Sequence, residues 1–239
     1  NIETRLMIKK ESGWIFADYI WNDDQTEAIF NLDGSVVDIS WLQNGVEKNI
    51  NYRVPSASQC LTCHKMSDLA IPNGVKPRNI NKTLDYGSNS MNQLDKWMEM
   101  GYLDTYPENL EAVANWKDLS EPLEKRVRSY VDINCAHCHS DNTHCSYIPL
   151  RLSFEATTDL ENMGVCVTPD LNLGNGTDFV ISPGNHIRSV MHYRMSSTEE
   201  QYMMPLIGRT IWHISNILQR FFIFSKFEET KILVETDFS

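Results

Sequence analysis

The 239-residue sequence predicts an α+β fold in which an N-terminal β-meander is followed by mainly α segments. Three observations carry this reading. Residues 1 to 55 alternate or cluster β-branched and aromatic residues in short runs. Three later stretches repeat apolar residues at helical spacing. Gly, Asn and Asp collect between the runs, where turns need them.

The meander consists of "TRLMIK", "WIFADYIW", "EAIFNL", "VVDISWL" and "KNINYRV", separated by "KESG", "NDDQ", "LDGS" and "QNGVE". A small sheet of this kind needs a cover for its apolar face. From Pro55 the character changes, and 56–90 reads as an irregular polar loop. In "NQLDKWMEMGYL", Leu94, Trp97, Met98 and Leu103 are helically spaced and Gly101 supplies a stop. "SEPLEKRVRSYVDI" predicts an amphipathic helix over 120–133, with Ser120 as N-cap and Leu123, Val127, Tyr130 and Val131 as its stripe. Residues 140–184 are loop-rich, with strand-like "IPLRLSF" and "DFVI". A short helix follows at 183–195 and a further amphipathic one at 210–222, before a strand-like tail.

Composition narrows the function classes. Apolar and charged fractions of 41% and 22% are those of an ordinary globular chain. A net charge of −11 argues against nucleic acid as a partner, because phosphate binding needs clustered Lys and Arg. No run approaches the length of a membrane span. The chain starts without an initiator Met or an apolar leader, which predicts a processed or truncated product.

The chemistry concentrates in two C-x-x-C-H stretches, Cys60 to His64 and Cys135 to His139. This is the attachment pattern of a covalent c-type haem: two thiols one turn apart take the two vinyl groups, and the following histidine ligates the iron. At these Cys and His frequencies, chance supplies one such motif roughly once in two hundred sequences and two roughly once in a hundred thousand. A four-cysteine zinc site would span 71 residues between its pairs, far beyond the usual spacing, and would leave both histidines unused. A redox dithiol needs only one pair.

Helix, C-x-x-C-H, long loop, Met-Pro and closing helix is the order of a class I cytochrome c domain, where the Met before Pro is the sixth iron ligand. Met204 holds that position, with Met203 as the neighbour most easily confused with it. The resemblance extends further. "IETRLMI", "GWIFADYIWNDDQTEA", "YRVPSASQCLTCH", "PRNIN", "NQLDKW", "RVRSYVDINCAHCH", "ISPGNHIRSVMHYRM" and "MPLIGR" resemble, in order over 3 to 220, an exported di-haem c-type cytochrome family. The chain departs from that family at His186, His192 and His213, where Pro, an apolar residue and Asp are expected, and in the tail beyond 222. The resemblance also implies more β-structure ahead of "ETR".

The implied architecture is a β-sheet domain (1–55), a first haem-binding segment (56–118), a class I cytochrome c-like haem domain (119–222) and the tail (223–239). Two covalent haems are implied, held by Cys60, Cys63, Cys135 and Cys138, with His64, His139 and Met204 on the irons. The sixth ligand of the first haem stays open among His192, His186, Met195, Met91 and none, with His192 preferred. Because c-type haem is attached outside the cytoplasmic membrane, a periplasmic or extracellular location follows. Cys145 and Cys166 are then left over, and in an oxidising compartment would pair, stabilising by roughly 3 kcal/mol.

The implied function is electron transfer with redox partner proteins. Its specialisation is a homo-polymer that conducts along a filament through haem stacking and the C-terminal tail. The alternative is a di-haem enzyme of peroxidase type with one open-coordinate haem.

Overall fold

The computed structural model describes residues 1–73 and 75–209 of the chain. The expected helix at 210–222, the tail at 223–239 and His213 lie outside the described residues.

The five N-terminal strands form where the alternation places them: β1 (Glu3–Lys10), β2 (Gly13–Trp21), β3 (Ala28–Asn31), β4 (Ser35–Gln43) and β5 (Val46–Val54). They do not make one meander sheet. β1, β2 and β3 form an antiparallel sheet with β2 in the middle, while β4 and β5 pair separately as a hairpin. The β4–β5 turn is Asn44-Gly45, with φ of 52° and 77°. Two positive φ values at adjacent positions match the right-handed twist of the strands, which is why Asn-Gly pins this register. The hairpin is tied to the sheet by Tyr52, whose hydroxyl donates to Glu3 Oε1 at 2.7 Å, while Arg5 Nε donates to Glu3 Oε2 at 3.0 Å. The expected cover over the strands is only partial, since Ile29, Phe30, Val36 and Leu42 are exposed.

The segment read as an irregular loop carries small elements instead. These are α1 (Ala57–Cys60), the hairpin β6 (Lys65–Met66) with β7 (Leu69–Ala70), α2 (Pro77–Ile80), and the hairpin β8 (Thr83–Asp85) with β9 (Ser90–Asn92). α3 (Gln93–Glu99) follows, capped by Asn92, whose side chain accepts from the Leu94 N–H at 2.9 Å. It ends at Glu99, and Gly101 at φ 71° turns the chain where the sequence placed its stop; Met98 is exposed.

α4 (Leu123–Asn134) is the predicted amphipathic helix, entered two residues late. Ser120 is not its cap: the Ser120 N–H and Oγ both donate to Asp118 Oδ1, forming a local turn. Pro122 then fixes an extended entry, and the helix starts after it. Val127, Tyr130 and Val131 of α4 join Leu150, Leu152, Met163, Val180 and Ile181 in the core. The main buried cluster therefore sits around α4 and the loops that follow it. "IPLRLSF" is not a strand. Leu150 and Leu152 bury their side chains while the Leu152 N–H donates to the His139 carbonyl at 3.1 Å.

Beyond α4 come a 3₁₀ turn at Ala156–Thr158, α5 (Leu160–Met163), single bridges Val165 to Ile181 and Phe179 to Ser189, a second 3₁₀ turn at His186–Arg188, and α6 (Val190–Ser196). Gly164, at φ 94°, ends α5. An added Cβ there would stand 2.6 Å from Val180 Cγ1.

The predicted succession of mainly α, cytochrome c-like domains is thus corrected. The described residues are 21% helical and 25% strand, dominated by small antiparallel sheets with few short helices. Glycines, prolines and side-chain-capped turns interrupt the apolar periods before helices can lengthen. Among the described residues only α4, at 12 residues, exceeds two turns. No helix among the described residues is long and apolar enough to cross a membrane.

Segment 56–118 packs on α4 and the loop after it through charged and polar contacts. Lys76 Nζ pairs with the buried Asp132 carboxylate, and Ala114 N–H donates to Ser129 Oγ at 3.0 Å. The Arg78 guanidinium lies 3.6 Å from the centroid of Phe154, and Arg128 lies 4.3 Å from it.

Candidate functional site

Both C-x-x-C-H stretches leave the end of a helix and make the same turn. α1 is started by a capping box in which Ser56 Oγ accepts from Gln59 N–H and Gln59 Oε1 accepts from Ser56 N–H. Its last residue, Cys60, offers a carbonyl that accepts from Cys63 N–H at 3.2 Å and His64 N–H at 2.9 Å. At the end of α4, the Cys135 carbonyl accepts from Cys138 N–H at 3.1 Å and His139 N–H at 3.0 Å. The paired thiols of each motif are thereby set one turn apart, with the histidine following.

His64 packs against Phe16 of β2, with ring centroids 4.9 Å apart, and its Nδ1 accepts from the Asn73 N–H at 3.2 Å. Burial lowers its pKa. α1 packs on β2, and burial followed by the nearby Asp18 carboxylate raises the Cys60 thiol. His139 is more enclosed. Burial, then His137, pushes its pKa down to about 4, and its Nδ1 is buried with no hydrogen-bond partner among the described residues. The ring is a neutral imidazole with a lone pair to offer.

Two cavities of about 290 and 210 Å³ flank His139. Cys135, His139, Met195 and Met204 line both. Leu150, Leu152, Val180 and Val190 make the smaller one apolar, and Met203, which is buried, lines neither. Of the adjacent methionines, Met204 is the one placed with His139. Its N–H donates to the Arg194 carbonyl at 3.0 Å. Arg209 straps the same loop to α6, donating to the Met195 carbonyl at 2.6 Å and to the Arg194 and Ser197 carbonyls.

The two motifs also meet. The sulfurs of Cys63 and Cys138 and a ring nitrogen of His137 lie within 4.8 Å of one another. A hydrogen bond from Cys138, then one from His137, pulls Cys63 down to about 4. The same hydrogen bond, with burial, pushes Cys138 above the ordinary thiol range. Burial alone takes Cys135 up to about 12.

His192 stands with His186, ring centroids 4.7 Å apart and nearly perpendicular, whereas the ring against His64 is Phe16. Met195, one turn on from His192, reaches both cavities, and Met91 pairs with Leu84 in the β8–β9 hairpin. The expected disulfide is corrected: Cys145 is buried in the wall of the larger cavity, Cys166 is exposed, and both are free thiols. Tertiary packing seats Cys145 beside Cys138, whose carbonyl accepts from the Cys145 N–H at 3.0 Å.

His137 is the site residue that sequence reasoning set aside. The signal was its place between two cysteines, but its partner Cys63 comes from a turn over seventy residues away and no local pattern joins them. Comparison with family models, curated proteins and solved structures finds no match to this chain.

A covalent haem fits the donor set around His139. A soft thioether and a neutral imidazole share two flanking cavities, Cys135 opens on both, and the His139 Nδ1 is buried with no hydrogen-bond partner among the described residues. At the first motif the thiols and His64 make the same turn against Phe16.

Proposed function

We propose that the chain is an exported di-haem c-type cytochrome that passes electrons between redox partner proteins outside the cytoplasmic membrane. The observation that carries this reading is the shared placement of His139 and Met204 on the walls of two cavities that also take in Cys135, at the end of a C-x-x-C-H turn. A bound haem supplies a ferric–ferrous couple. Cys60, Cys63, Cys135 and Cys138 are its anchors, and His64 and His139 its proximal ligands.

The remaining side chains set the conditions for ligation. Burial keeps His139 neutral, so its nitrogen is a donor rather than a cation. Leu150, Leu152, Val180 and Val190 hold water away from the smaller cavity, which favours the less charged state of a site and so raises its potential. The Arg209 strap fixes the backbone leading from Met204, so that its thioether is offered without reorganisation.

The test is ligation spectroscopy of the haem-loaded chain. The reading expects a His–Met low-spin signature that Met204→Ala abolishes, with a fall in the potential of that haem, and that Met203→Ala retains. Unchanged ligation in Met204→Ala contradicts the assignment. A high-spin ferric fraction equal to one haem per chain would instead favour the enzyme alternative.

A further inference from the structure

His137 occupies a position that haem attachment leaves unused, yet its ring nitrogen and the sulfurs of Cys63 and Cys138 form a compact donor set within 4.8 Å. The donors are drawn from both motifs, so the set exists only in the folded chain. Two thiolates and an imidazole are the soft ligands of a d¹⁰ ion such as zinc. At bond lengths of about 2.0–2.3 Å, tetrahedral donors stand about 3.6–3.8 Å apart, so the three need to close by only about an ångström. The fourth position opens on the larger cavity, where His144 and Cys145 stand in the wall.

From this cluster the geometry points to a second ligand for the site: before haem is attached, the chain binds one thiophilic d¹⁰ cation through Cys63, His137 and Cys138. Any proton still held by either sulfur is released as that sulfur bonds the ion. Thioether formation consumes the same two sulfurs, so the cation and the covalent haems exclude one another. The site goes beyond the cytochrome reading and does not depend on it, since it needs only free thiols in the folded chain.

The test uses the full-length chain produced without a haem supply, titrated with Co²⁺ and then Zn²⁺. One Co²⁺ per chain is expected, with the intense visible bands of a tetrahedral site and sulfur-to-cobalt charge transfer, bleached by Zn²⁺. Cys63→Ser, Cys138→Ser and His137→Ala each weaken binding by about tenfold or more, while Cys60→Ser and Cys135→Ser change it by less than about twofold. Alkylation followed by peptide mass mapping gives a readout independent of colour: Zn²⁺ protects Cys63 and Cys138 and leaves Cys60 and Cys166 reactive.

Binding that requires Cys60 or Cys135, that survives His137→Ala, or that leaves Cys63 and Cys138 open to alkylation overturns the proposal. So does the absence of stoichiometric Co²⁺ binding. His137→Ala matured with haem still takes two haems if the cytochrome reading holds, so failure of one account is distinguishable from failure of the other.

Discussion

Asp132 offers a quantitative probe of how the first motif's segment is fastened to the core that presents the second. Its side chain is fully buried on α4, three residues before Cys135. Oδ1 accepts from Lys76 Nζ and, at 3.1 Å, from the N–H of Phe154, while Oδ2 has no hydrogen-bond partner among the described residues. In Asp132→Ala the Phe154 N–H is left buried without an acceptor, which costs about 1–3 kcal/mol. The ion pair contributes less, about 0.5–1 kcal/mol, because Lys76 is 43% exposed and regains water. The expected loss is about 1.5–4 kcal/mol. With a urea m-value of about 2–3 kcal/mol/M for a chain of this size, the unfolding midpoint falls by about 1 M. Asp132→Asn keeps an acceptor for Phe154 and relieves a half-satisfied buried charge, so it loses no more than about 1 kcal/mol. Urea unfolding followed by circular dichroism measures both. Equal losses in the two variants, or a loss below about 0.5 kcal/mol for alanine, would refute the assignment of the energy to the Phe154 amide.

Three further outcomes are expected. Gly164→Ala forces a Cβ to 2.6 Å from Val180 Cγ1 at a φ of 94°, and thermal or urea unfolding should show a loss of about 2–4 kcal/mol. Met203→Ala, at a buried position off both cavities, should cost about 2–4 kcal/mol in the same assay while leaving the haem spectrum unchanged. Asp18 has its pKa raised above 3.8, first by burial and then by Glu3, with Arg5 opposing. The folded state therefore binds its proton more tightly than the unfolded chain, and stability falls as pH rises from 3.8 through the folded pKa. Asp18→Asn should remove that decline, and parallel slopes for the two proteins in pH-dependent urea midpoints would contradict it.

The legible parts of this chain were local. Alternation placed all five N-terminal strands, Asn44-Gly45 announced its turn, and the apolar stripe of 123–131 announced α4. The separation of β4–β5 from the sheet was not readable, because register and partner choice depend on contacts such as Tyr52 with Glu3 across 49 positions. Gly101 announced the end of α3, whereas Ser120 resembled a cap until Asp118 and Pro122 claimed the turn. At the candidate site, spacing singled out the four motif cysteines, both following histidines and Met204, and it could show neither which of them meet nor which cavities they line. The pairing of His192 with His186, the burial of Cys145 and the meeting of Cys63 with Cys138 and His137 were not, because each is set by tertiary packing.

The intact mass of the chain, purified from a host that exports it and matures c-type haem, tests the central claim most directly. Two haem increments that survive denaturation, mapped to the peptides containing Cys60–Cys63 and Cys135–Cys138, are the predicted result. A chain of unmodified mass, or one whose colour is lost on acid–acetone extraction, would contradict it.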